Sequence, residues 1–120
     1  MKILEISELL GAKLLCCEEK KDSEVCSACG SDMMSDVLAF VKDQAVLLTG
    51  LVNPQVIRTA EMMDMRCIVF VRNKQPSEEM LALAREHGIV VMASPLRLYE
   101  ACGILYSNGL NNPEAVKNNG

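Results

Sequence analysis

Three short, uninterrupted apolar runs organise the second half of the chain. They are AVLLT (45–49), CIVFV (67–71) and IVVMA (89–93), and their starts lie 22 residues apart both times. Continuous runs, as opposed to alternating ones, predict strands covered on both faces, as in a parallel sheet. Between them, apolar positions recur at helical spacing. Residues Pro54 to Met65 present Val56, Ile57, Ala60 and Met63 as an inward stripe, and Ser77 to His87 present Met80, Leu81 and Ala84. Ser94-Pro95 predicts the N-cap and first position of a third helix, reaching about Ser107. Gly88 and Gly109 follow the last two helices as stops. The pattern is a βαβαβα repeat whose right-handed crossovers bring strand ends and helix starts to one edge.

The first half is less regular. Ile3, Ile6, Leu9 and Leu10 predict a helix over 2–10, closed by Gly11. AKLLC (12–16) reads as a strand, CEEKKDSE as a charged exposed loop, and Val25 to Ala28 as another short strand. Ser31 then serves as a helix N-cap with Asp32 in the first turn. Met34, Val37, Leu38 and Val41 form the apolar face of that helix. The expected fold is α/β: a mostly parallel sheet of about four to five short strands flanked by helices. One domain is expected over 1–110, with a polar tail at 111–120 that frays.

Composition narrows the function. Of the 120 residues, 50% are apolar and 23% charged, which is a folding composition. A net charge of −4 argues against a nucleic-acid surface, which needs clustered Lys and Arg. Phe40, Phe70, Tyr99 and Tyr106 are the whole aromatic complement, too few for base stacking and leaving an aliphatic core. The longest apolar stretch, 45–52, is far short of the roughly 20 residues a membrane helix needs. The opening MKILEISELLGAK carries Glu5 and Glu8 and does not read as a signal peptide. A cytoplasmic protein is expected, with no nucleic-acid or membrane partner.

The candidate chemistry is sparse. Cys26 and Cys29 have metal or redox spacing, but a zinc site needs two more ligands. Cys16 and Cys17, as adjacent strand residues, point to opposite faces, and His87 is the only histidine. No metal and no cofactor are expected; Cys26 and Cys29 stand as outside candidates. No GxGxxG, Walker loop or GxSxG is present, and Cys29 has no visible base. No nucleophile, base and oxyanion set appears, so no enzyme is expected. His87, before Gly88, reads as a helix-end supplement, and Asp32 and Asp36 as dipole partners. In a parallel sheet, ligands bind beyond the carboxyl ends of the strands. That edge collects Thr49, Gly50, Asn53, Arg72, Lys74 and Ser94, which together suit an anionic small molecule. Met62 and Met65 flank the inward stripe of their helix and predict a homodimer contact.

The run LLTGLVNPQVIRTAEMMDMRCIVFVRNKQPSEEMLALAREHGIVVM resembles the DRTGG domain. The likeness rests on Thr49-Gly50 after a strand, Pro76 before a helix, and ALAREHGIVVM closing the unit. ISELLGAKLLC and ACGSDMMSDVLAFV are similar to small stand-alone DRTGG proteins, extending the resemblance to roughly residues 2–110. The layout more distantly resembles the N-terminal domain of HPr kinase/phosphorylase and the uridine-nucleotide-binding domain of the Mur ligases. The turn that names the family reads Thr49-Gly50-Leu51-Val52-Asn53 here. The resemblance implies a non-catalytic regulatory or ligand-sensing α/β module that helps dimerisation. It also implies an alternative: an accessory protein of iron–sulfur, hydrogenase-associated redox metabolism, with a redox-enzyme partner.

Overall fold

The computed structural model of the protein describes residues 1–40 and 45–111. In chain order the elements are α1 (Ile3–Leu10), β1 (Lys13–Cys16), a 3-10 turn (Glu18–Lys20), β2 (Ser27–Gly30) and α2 (Met34–Phe40). They continue with β3 (Ala45–Thr49), α3 (Pro54–Met62), β4 (Cys67–Phe70), α4 (Glu78–His87), β5 (Val90–Ala93) and α5 (Leu98–Ser107). The sheet has five strands in the order β1-β5-β4-β3-β2. β2 to β5 are parallel, in the register Val46 to Cys67 and Cys67 to Val90, while β1 runs antiparallel along β5.

Every residue of β3, β4 and β5 is buried, as their unbroken apolar runs require. The crossovers step in one direction, so right-handedness puts α2, α3 and α4 side by side on one face, with α1 and α5 together on the other. Phe70, Ile68, Leu47 and Leu48 fill the centre with no exposure to solvent. β1, at the edge, is only partly covered.

Four elements differ from the sequence expectation by two residues or more, each for a local reason. β2 starts at Ser27, two residues later than expected. Ser31 does not cap α2: its Oγ accepts the Met33 N–H at 2.9 Å in a tight local turn, and α2 begins at Met34. Ser94 likewise does not cap α5. Its hydroxyl donates to the Leu10 carbonyl (2.8 Å) and accepts the Leu96 N–H (3.2 Å), so it ties α1 to the end of β5, and α5 begins at Leu98. α3 ends at Met62 through a Schellman motif: Asp64 takes a left-handed φ of 57°, and the Met65 N–H returns to the Ala60 carbonyl (2.9 Å). Gly11 and Gly88 close α1 and α4 in the same way, and both were legible as glycines. Val41 of the expected α2 stripe and residues 112–120 of the expected tail lie outside the described residues.

Candidate functional site

The carboxyl ends of the parallel strands form one edge, and the loops there are tied to one another. β3 ends in Thr49, which is fully buried. Its hydroxyl donates to Asp32 Oδ1 (3.1 Å) and accepts the Leu51 N–H (3.1 Å). The Gly50 N–H donates to the same carboxylate oxygen at 2.7 Å. Asp32, just past β2, thus clasps the end of the neighbouring strand. Asn53 Oδ1 accepts the Val56 N–H (3.3 Å) and caps α3, with Pro54 in the first turn.

The loop after β4 is a type I′ turn. The Lys74 N–H bonds the Val71 carbonyl (3.2 Å), and Arg72 and Asn73 have φ of 57° and 55°. Such turns favour Asn or Gly; an arginine in the left-handed region is costly. The surroundings hold the turn in place. The Arg72 N–H donates to Leu96 O (2.8 Å), the Asn73 N–H to Ser94 O (2.9 Å), and the Val71 N–H to Thr49 O (3.0 Å). The Arg72 guanidinium lies against Gly50, in space that a Cβ at position 50 would fill. A side chain at position 50 would displace the guanidinium from this place, so the glycine matters here through close approach and not through its φ.

The structure brings Thr49, Gly50 and Arg72 into direct proximity. Lys74 stands exposed in the same turn, Ser94 joins through its carbonyl, and Asn53 sits where the Gly50 loop enters α3. The hydroxyls of Thr49 and Ser94 and the Asn53 carbonyl oxygen already have protein partners. The charge free to meet a ligand is that of Arg72 and Lys74, since the one ion pair among the described residues joins the Met1 amino group to Glu24. Sequence reasoning missed Asp32 as a member of this edge. With β2 placed two residues early, Asp32 fell inside a helix; placed correctly, the same edge rule includes it.

Among the described residues, no three His, Cys, Asp or Glu side chains gather to hold a metal ion. Burial raises the Cys29 thiol, with Cys102 and Asp36 adding to the effect, and burial raises Cys102 and Cys67. Cys16 is pushed up to about 11 by burial and then by Cys17. These groups are neutral thiols at pH 7, and the thiolate is the form that attacks or ligates. Met62 is 64% exposed, whereas Met65, past the end of α3, is 4% exposed and packs in the core of its own chain. Among the described residues, no helix is long and apolar enough to cross a membrane.

Residues 5–107 match the family model of the DRTGG domain. Among solved structures, the fold is similar to that of the CBS and DRTGG domains of the regulatory region of Clostridium perfringens pyrophosphatase, complexed with the activator diadenosine tetraphosphate. The TM-score is 0.72 at 17% identity, and the likeness covers 87% of this chain and 45% of that one. The chain thus spans less than half the length of that structure. No curated protein sequence matches it.

Proposed function

The chain belongs to the DRTGG domain family, and from that premise we propose that it is a non-catalytic regulatory or ligand-sensing module. Its ligand is an anionic small molecule, a nucleotide or other phosphorylated metabolite, held at the carboxyl edge of the sheet. The observation that carries this reading is the Arg72 guanidinium laid over the Cβ-less Gly50 from a turn held in unfavourable geometry. Strain of this kind persists where the surroundings over-determine it, and it concentrates at ligand sites. Asp32 already occupies the Gly50 N–H, so an incoming phosphate meets Arg72 and Lys74 first and reaches the amide only by displacing Asp32. The pyrophosphatase region of the same fold was solved with a dinucleotide activator, which supports a nucleotide as first probe.

A thermal-shift panel of nucleotides, including ATP and diadenosine tetraphosphate, and of sugar phosphates tests this, because a ligand of the native state raises Tm. The reading expects at least one anionic member to raise it. Replacing Arg72 and Lys74 together by Ala should remove that rise. A rise retained in the double variant overturns the site.

A further inference from the structure

We propose a second anion site, at the opposite end of the sheet, built for a tetrahedral oxyanion such as phosphate or a phosphate monoester. A cavity of about 370 Å³ opens there, where α3 and α4 end and β4 and β5 begin. That volume falls within the range of small-ligand sites, roughly 300–1,000 Å³. Buried Ile3 and Met65 lie at its base, and it is lined mainly by polar groups, among them Lys20, Arg66 and His87, the one histidine of the chain.

The charged loop CEEKKDSE is the unexpected wall. It contains Glu18, Glu19, Asp22 and Glu24, yet only Lys20 and Ser23 of it line the cavity. Backbone bonds fold the loop onto α1: Ile3 N–H to Ser23 O (3.1 Å), and Leu4 N–H to Lys21 O (2.8 Å). The Lys20 ammonium then rests against Gly88, in space a Cβ would fill. An acidic segment thereby presents its lysine inward and leaves its carboxylates outside the cavity.

Lys20, Arg66 and His87 are not simply capping helix ends. The Schellman bonds already engage the carbonyls of Ala84 and Arg85 in α4, and of Ala60 and Glu61 in α3. Among the described residues, neither Lys20, Arg66 nor His87 forms an ion pair. Asp64 is the single carboxylate of the lining, so Lys20 and Arg66 outnumber it and oppose the partial negative ends of α3 and α4, in a chain whose total is −4. Arg66 supplies a planar fork for two oxygens and Lys20 a point charge, the combination that suits phosphate. The recess is distinct from the strand-carboxyl edge and does not depend on the proposal made for it.

Titration of 15N-labelled protein with inorganic phosphate, against sodium chloride at matched ionic strength, provides the test. Amide shifts should saturate at Lys20, Arg66, His87 and Gly88. Lys20→Gln with Arg66→Gln, both exposed, should weaken binding at least tenfold with Tm unchanged, while Arg72→Ala should leave these shifts intact. Absent or non-saturating shifts, equal shifts with chloride, or shifts only at residues 50 and 72–74 overturn the site. So would full affinity in the Lys20/Arg66 variant; if that variant proves unfolded, the single Lys20→Gln change must still weaken binding.

Discussion

Arg72 and Asn73 stand in the left-handed region, at about 1–2 kcal/mol for a residue with a side chain, somewhat less for asparagine. Their backbone N–H groups are bonded, so the turn itself will survive substitution. Arg72→Gly should therefore stabilise the ligand-free protein by about 1 kcal/mol in urea unfolding, while weakening anion binding. A loss of stability would show that the guanidinium contact on Gly50 outweighs the backbone relief. The thiols give a second residue-scale expectation. Burial, and then the neighbouring Cys17, push the Cys16 thiol up to about 11 from 9.0 for an ordinary thiol, and it donates to the Ile89 carbonyl. A raised thiol pKa means that the native state retains a proton the unfolded chain has lost. Stability is then full below pH 9 and falls as pH rises toward 11. Unfolding free energies measured across that window should decline, with a shallower slope in Cys16→Ala than in the parent.

At the scale of elements, capping and strand burial decide what can be tested and what could be read. Asn53→Ala removes the cap of α3 and should cost about 1 kcal/mol, read as a lower midpoint in urea at constant m. Ile68→Ala, at the centre of the sheet, should cost about 2–5 kcal/mol. β3, β4, β5, α4 and the glycine stops of α1 and α4 were legible because periodicity, length and turn chemistry agreed there. The end of α3 was not, because the left-handed residue of its Schellman motif is Asp64 and not a glycine. Ser31 and Ser94 misled because a serine before a helix is read as a cap, whereas both hydroxyls are engaged in tighter local turns, and that of Ser94 also reaches 84 residues back to Leu10. The convergence of Gly50 and Arg72 followed from parallel adjacency alone. Asp32 was hidden by a two-residue error in β2, and the cavity around Lys20 by a loop whose charge suggested nothing but solvent.

For the molecule as a whole, one continuous apolar cluster links the elements on both faces of the sheet. A single cooperative unfolding transition over 1–110 is therefore expected, with coincident far-ultraviolet dichroism and thiol exposure. Met62 and Leu38 are exposed on the α2–α3 face, so we propose that face as the contact between two copies. Light scattering at tens of micromolar protein, about the range of an ordinary stable interface, should give a dimer that Met62→Glu dissociates. Met65, packed inside its own chain, should have no such effect through the interface.

The central claim is that the carboxyl edge of the sheet holds a nucleotide or phosphometabolite by Arg72 and Lys74. Its most direct test is amide-shift mapping of 15N-labelled protein with whichever panel member raises Tm most. The account predicts saturating shifts at Asp32, Gly50 and residues 72–74, lost in the Arg72→Ala, Lys74→Ala protein. A panel in which no anion raises Tm, or shifts that leave this edge unmoved, would contradict it.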